Sequence, residues 1–449
     1  MEKNIVRRFR HTADAPKPSP LSPSRLGHEE PPTSIPSARV SNSVCIVSLN
    51  YPPEQTAIAP YSGALAAELA ASGDSVTALV AHPHYPEWKI WPGYGQWRTL
   101  QLIEGVHVDR RRHYVPQPPR GIRRLISELS FGMRLTFARM GSPSVLVALS
   151  PALFSTALVA LRLRLTPNRP PLIVWVQDIY SLGLAETGEG GGIARKITRW
   201  VESRTLRAAD RVVVLHPRFA DFVTTQLGVE PQRVVVHRNW THLPPSDPVD
   251  SSYAKSALGW PTDKTLAVHT GNMGAKQGLE NIVDAARIAD MKDLPIHFVL
   301  VGDGGERRSL EEYGQGVSRL TFVDPLDDDG YHLALNAADV LIVNEKPGVS
   351  AMSMPCKLTS YFDASKPVVA ATDLLGITAS EIALANAGVV VAAGDARALL
   401  DAILELRNHP DDATAYGHNG RRHREAVLDE RTAMEKWKAL IASVIAERP

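Results

Sequence analysis

The sequence predicts an α/β protein made of two doubly wound, Rossmann-like parallel sheets that face a central cleft. Three observations lead to that class. Short apolar runs alternate with helical patterns, the rhythm of βαβ units. The rhythm breaks in a Pro-rich stretch around 240–262 and then resumes. The 449 residues are enough for two or three domains, each with its own core. The expected divisions are a basic tail over 1–42, a first sheet domain over 43–240, a second over 241–420, and a helical segment over 421–449. The helical pattern of 411–447 is expected to cross back over both domains.

Composition narrows the function. Apolar residues make up 44% and charged residues 22%, as in ordinary globular domains. A net charge of +1 gives no global pull toward nucleic acid, so none is expected as a partner. Two cysteines, Cys45 and Cys356, exclude a disulfide framework and fit a reducing cytoplasm. The apolar stretch nearest to a membrane span, 145–165, is interrupted by Ser150-Pro151 and charged by Arg162 and Arg164. The N-terminus lacks the apolar centre of a secretory signal.

In chain order, 1–42 is rich in Pro, Ser and Arg and is expected to be disordered. The folded part begins with a buried strand at 44–49, followed by Asn50-Tyr51-Pro52-Pro53-Glu54, which its prolines keep out of helix. A helix at 61–72, a strand at 75–80 and a strand or ribbon at 105–112 follow. Between them HPHYPEWKIWPGYGQ (82–96) brings Trp88 and Trp91 close to Trp97, either to line a sugar or lipid site or to anchor a long loop. The amphipathic helix of 121–139 carries arginines against Ile122, Leu125, Ile126, Leu129 and Leu135. It suits an anionic membrane surface or a solvated basic face. Strands at 145–150, 172–176, 210–215 and 234–236, with helices between, complete this half. The glycine-rich 188–192 is expected to be a loop.

The second half opens with LAVHTGNMGAKQGLENIVDAA (266–286), a short strand broken at Gly271-Asn272 and running through Gly274 and Gly278 into a helix. Glycines let a backbone approach a phosphate, and N–H groups of a first helical turn point at it. Lys276 adds a cation. A second such turn follows the strand at 296–301, at Gly302-Asp303-Gly304-Gly305, where Asp303 either faces the cleft or forms the turn. Strands at 320–323, 340–343, 367–371 and 389–391 alternate with helices at 327–337, 357–362, 379–387 and 395–407. Asp327-Asp328-Asp329 fits a helix cap better than a metal cluster. There is no zinc spacing of the HExxH type and no Gx4GK[ST] loop, so no metal and no ATP hydrolysis is expected.

The motifs HTGNMGAKQGLE, VLVGDGGERRSLE and AADVLIVNEKPGVSAMSMPCKLTSYFDASKPVVAATD resemble the nucleotide-sugar half of retaining glycosyltransferases of family 4. NYPPEQTAIAPY, HPHYPEW, VWVQDIYSLGL and VVHRNW agree in the first half. The likeness spans about residues 44–440 and is closest to the branch that builds colanic acid, O-antigen and capsule units. It implies the two-domain GT-B fold, a nucleotide-sugar donor as substrate, a lipid-linked glycan acceptor, no metal cofactor, and a cytoplasmic enzyme that could sit at the inner membrane face.

The resemblance also implies roles. A departing diphosphate needs its growing charge stabilised. Gly271, Asn272 and Gly274 would cradle it, with Lys276 and Lys357 as cations and Gln277, Gly302, Asp303 and Leu358 beside them. The backbone from Val323 to Leu326 would hold the base. Family members commonly have Arg and Lys where this chain has Asn272 and Gln277, which shifts the cationic role to Lys357. The usual paired glutamates are replaced, in an alignment on Lys357, by Met352 and Ser360, with Glu345 displaced. Gln177 and Asp178 stand where many members have His-Asp, and with Glu54 they are the catalytic candidates. Asn50, Tyr51 and Trp88 are acceptor-side candidates. A sugar-nucleotide 2-epimerase of the same architecture and a non-catalytic binding subunit are the alternatives.

Overall fold

A computed structural model describes residues 41–55, 58–119, 121–150, 152–187, 191–241, 249–348 and 357–447. The expected disorder of the tail and the loop at 188–190 lie outside these residues, as do Met352 and Cys356.

The first sheet contains β1 (Ser43–Ser48), β2 (Ser75–Ala81), β3 (Arg98–Ile103), β4 (Val106–Arg111), β5 (Val145–Ser150), β6 (Leu172–Val176), β7 (Arg211–Val214) and β8 (Val234–Val236). Its helices are α1 (Ala59–Ala71), α2 (Gly121–Thr136), α3 (Leu153–Arg164), α4 (Tyr180–Thr187), α5 (Gly192–Ala208) and α6 (Pro217–Thr225). The spatial order is β3-β4-β2-β1-β5-β6-β7-β8. All neighbours are parallel except β3, which pairs antiparallel with β4 through a two-residue turn. Glu104 and Gly105 in that turn have φ of 50° and 78°, as a tight hairpin requires. This edge strand departs from the purely parallel expectation, because its Leu100 and Leu102 face solvent and no buried run marks it.

The second sheet is preceded by α7 (Ser251–Ala257), which lies inside the stretch expected to be linker and starts on an Asp250 cap. It contains β9 (Thr265–Thr270), β10 (Ile296–Val301), β11 (Leu320–Val323), β12 (Val340–Asn344), β13 (Val368–Thr372) and β14 (Gly388–Ala392). Between them run α8 (Glu280–Met291), α9 (Arg307–Tyr313), α10 (Asp328–Ala337), α11 (Lys357–Asp363), α12 (Ile377–Ala385) and, after β14, α13 (Ala396–Asn408). The order β11-β10-β9-β12-β13-β14 is that of a doubly wound sheet, with its switch point between β9 and β12. In the first sheet the switch lies between β1 and β5. Ligand crevices open beyond the carboxyl ends of strands at such points.

The C-terminal helical stretch is two helices, α14 (Pro410–Val427) and α15 (Glu430–Ala446), parted where Asp429 caps Thr432 N–H at 2.9 Å. α14 packs on α11, α12 and α13, while α15 returns to the first domain. There Met434, Trp437, Leu440, Ile441 and Val444 join its apolar core. Trp437 lies 4.6 Å from Trp175, and Trp175 stacks on Trp240 at 6.0 Å. Truncating a buried aromatic of this kind costs about 3–5 kcal/mol. An ionic latch also joins the halves. Glu381 of α12, fully buried, accepts from Arg238 at 2.6 Å, and His216 Nε2 and His423 Nε2 lie 3.2 and 3.7 Å away. Those cations and donors hold the Glu381 carboxyl far below its ordinary range despite burial.

Candidate active site

The C-terminal rim of the cleft is built from two glycine turns stacked backbone on backbone. Gly271 leaves β9 with φ 113° and donates its N–H to Val301 O at 2.8 Å. Gly302 leaves β10 with φ 135°, and a Cβ there would stand 2.0 Å from Gly271 O. A Cβ on Gly304 would meet Met273 O at 2.5 Å. Only glycine lets these turns nest. Met273 N donates to Asp303 O (2.8 Å) and the buried Met273 side chain plugs the turn from below, leaving Gly271 and Asn272 exposed at the rim.

A second set of contacts fixes the start of α8. Asn344, at the end of β12, donates to Gln277 O (2.7 Å) and Gly278 O (2.8 Å) and accepts from Asn281 at 2.8 Å. Sequence reading did not single out Asn344; its place at a strand end is the only signal it offered. The Gln277 side chain accepts from Gly274 N–H at 3.2 Å, so that amide is engaged rather than bare.

Lys357, the first residue of α11, reaches beneath Gly271. Its Nζ lies 3.2 Å from His269 Nε2 and 3.7 Å from where a Gly271 Cβ would stand. His269 Nδ1 lies 3.1 Å from Ile342 O and donates to it, which leaves Nε2 as an acceptor for the ammonium. Burial and Lys357 together hold His269 well below its usual range. Burial lowers Lys357 to about 8, against an opposing pull from Glu345. The lysine is thus a partly desolvated cation under the turn. Glu345 accepts from Thr378 at 2.6 Å and from Thr372. Ser360 is buried.

Other donor-side candidates also make contacts within the fold. Asp303 is exposed and accepts from Gly304 N–H at 2.8 Å, the contact of a turn former. Val323 O already accepts from Gly302 N–H (2.9 Å) and Arg307 (3.0 Å), and Val323 and Leu326 pack against the core. The Leu358 side chain is fully buried. Asp327 caps α10 through Gly330 N–H at 2.9 Å, as its position suggested.

On the opposite rim Asp178 follows β6. Burial raises its carboxyl to about 6, while Lys276 of the other domain and Arg124 pull it back down. The cleft therefore brings Asp178 and Lys276 into one field. The Gln177 amide is paired in both directions with Asn239, at 2.7 and 3.3 Å, and is buried, which fixes its orientation beside Asp178. Glu54 is likewise held by its neighbours. Its carboxylate accepts from His84 N–H (2.7 Å), Tyr85 N–H (2.8 Å) and Asn50 Nδ2 (2.9 Å), which clamps two loops together. Asn50 and Tyr51 are buried with it.

Trp88 lines a cavity of about 660 Å³ with Trp97, Arg112, His113, Tyr114 and Arg134. Arg134 stacks on Trp97 at 3.6 Å. Tyr85 lies 6.4 Å from Trp88; burial raises its hydroxyl, with Arg124 opposing and Asp178 adding to the rise. Beside it Tyr180 donates to Glu128, and Arg124 donates to Tyr180 Oη at 3.4 Å. Burial lifts Glu128 to about 7, opposed by Tyr180 and Arg124. This trio was not legible, because Tyr180 comes to the Arg124–Glu128 pair of α2 from a different helix, 52 residues on from Glu128.

Comparison with known proteins agrees with this geometry. Residues 56–240 match the glycosyl transferase 4-like domain, and 264–409 match glycosyl transferases group 1. The chain is 30% identical over 329 residues to the putative colanic acid biosynthesis glycosyl transferase WcaI of Escherichia coli K12, covering 71% of this chain and 80% of the relative. It superposes on sucrose-phosphate synthase from Thermosynechococcus elongatus with a TM-score of 0.70 at 19% identity, over 90% of this chain and 99% of the other. Anabaena HepE in complex with UDP-glucose gives 0.62 at 15% identity, over 89% and 99%. At such identities these two likenesses speak for the fold. Two nested glycine turns over a lysine, an aspartate across the cleft and a match in each half lead to one conclusion: the chain belongs to the family 4 glycosyltransferases of GT-B fold.

Proposed function

We propose that this protein moves a hexosyl group from a nucleotide diphosphate-sugar to a hydroxyl of a lipid-linked saccharide, with retained configuration, in the building of an exopolysaccharide, O-antigen or capsule unit. The observation that carries the reading is the Lys357 ammonium held under the exposed Gly271-Asn272 turn. A diphosphate lying on that turn would meet backbone N–H groups and a poorly hydrated cation, with Lys276 close by. The colanic acid relative supports the pathway, and a fold neighbour holding UDP-glucose supports the donor class.

In the step itself the bond from the anomeric carbon to the diphosphate oxygen breaks and a bond to the acceptor oxygen forms on the same face. The acceptor proton passes to the departing diphosphate. Lys357 and Lys276 balance the charge that builds on the leaving group, so no metal is required. Asp178 offers its carboxylate to sugar hydroxyls and to the oxocarbenium charge. The cavity beside Trp88 takes the acceptor saccharide, and the exposed side of α2 faces an anionic membrane that supplies the lipid. Incubation with a panel of sugar nucleotides and membrane lipid extract should give acceptor-dependent release of nucleoside diphosphate. Epimerised sugar nucleotide without acceptor would make it an isomerase, and binding without any release would make it a non-catalytic subunit.

A further inference from the structure

Helix α5 carries its apolar stripe outward. The positions it buries include Thr198, Glu202 and Thr205, whereas Ile193, Ile197 and Trp200 are 76%, 54% and 61% exposed. These three follow spacings of four and three, one stripe of a helix. α2 has the same character, with Ile122, Ile126, Leu129 and Met133 all exposed. α3 packs between the two and adds exposed Leu161, with Leu165 just past its end. Exposed apolar residues on three adjoining helices, in a regular stripe on α5, mark a binding surface rather than scatter.

Charge identifies what binds. The three helices hold ten Arg or Lys, three in α2, two in α3 and five in α5, while their acidic residues, Glu128 and Glu202, are both buried. The whole chain has a net charge of only +1, so this basic character is concentrated here. Apolar stripes interleaved with cations match the headgroup boundary of an anionic bilayer. A second copy of the chain would set these cations against their own kind, and a nucleic acid has no apolar phase for isoleucine. From their buried sides these helices also reach the cleft. Arg124 of α2 donates to Tyr180 Oη at 3.4 Å and Glu202 of α5 accepts Tyr180 N–H at 2.7 Å, two residues from Asp178.

We infer that α5, with α3, extends the α2 contact into a docking face for an anionic lipid bilayer, with Ile197 and Trp200 entering the headgroup boundary. The inference deepens the lipid-linked acceptor reading and rests on it. Its test is co-sedimentation of the full chain with phosphatidylcholine vesicles, with and without phosphatidylglycerol. Binding should require phosphatidylglycerol and weaken with salt. The double variant Ile197→Asp/Trp200→Asp should bind roughly tenfold less or worse, as should Ile126→Asp. Ile193→Asn is a milder second variant on the same stripe and should lose part of the binding. Met291→Asp, on an exposed position of α8, should bind as the parent does. Melting temperature and UDP affinity report folding in each case. If Ile126→Asp loses binding and both α5 variants keep it, the α5 inference is overturned and the α2 contact stands. If none loses it, or phosphatidylcholine alone suffices, both fall. A lipid-free dimer broken by the α5 variant would reassign the stripe to self-association and overturn the inference. Sedimentation needs no turnover, so failure of the transferase reading shows up separately.

Discussion

Replacing Lys357 with methionine probes the diphosphate grip directly. The substitution keeps the unbranched chain, one atom shorter, and removes its charge. A charge-assisted contact to a phosphate oxygen contributes about 1.5–3 kcal/mol, so UDP affinity should fall roughly 10- to 100-fold. The pH profile is the sharper readout. Burial holds Lys357 near 8, so in the free protein the ammonium is lost as pH rises through that value. UDP affinity should therefore decline above pH 8, by up to about tenfold per unit, until the pKa of the bound state is reached. The methionine variant should be weak and lack this decline. Stability should move the other way. The folded value lies below the ordinary 10.5, so the unfolded chain binds the extra proton between the two and stability rises with pH across that window. Removing a desolvated cation should therefore leave the melting temperature equal or higher. Calorimetric titration of UDP from pH 6.5 to 9.5 (roughly, bracketing the shift) decides the matter. An affinity within about twofold of the parent, with the same pH dependence, would refute the role given to Lys357.

Three further outcomes follow from the same geometry. Gly302→Ala should cost about 2–4 kcal/mol in denaturant unfolding, because its Cβ would stand 2.0 Å from Gly271 O, whereas Gly305→Ala meets nothing within 4 Å and should change little. Glu381→Gln should destabilise by about 3–5 kcal/mol by leaving Arg238 unpaired against the latch. The latch carboxyl is depressed, so the parent should lose this stability as pH falls below the ordinary carboxylate value of 4.5, and the variant should show a flatter acid limb in thermal melts. Asp178→Asn should lower turnover about 100-fold or more while sparing UDP affinity, and parent turnover should fall as pH drops through about 6; equal turnover in the variant would remove Asp178 from the chemistry.

Much of the fold was readable because a strand covered on both faces is a continuous apolar run, and in β9 and β10 that run stops at a glycine. β3 escaped because its leucines face water, and α7 because seven residues among turn formers carry too little periodicity. At the site, position was legible but bonding was not. Gln177 and Glu54 stand in loops that follow strands at the cleft, as expected, yet their polar groups are taken by Asn239 and by the 84–85 backbone. No local pattern reveals a partner 62 or 30 residues away. Asn344, His269 and the Arg124–Glu128–Tyr180 trio went unread for the same reason. Lys357 was singled out by the resemblance, which moves the cationic role away from Asn272 and Gln277, and its ammonium lies under Gly271.

The decisive measurement is a crystal structure with a nucleoside diphosphate. The β-phosphate should lie over the Gly271-Asn272 turn, within hydrogen-bonding distance of Lys357 Nζ, with the cleft between Asp178 and Lys276 open for the sugar. A diphosphate bound elsewhere, with Lys357 still turned to His269 alone, would contradict it.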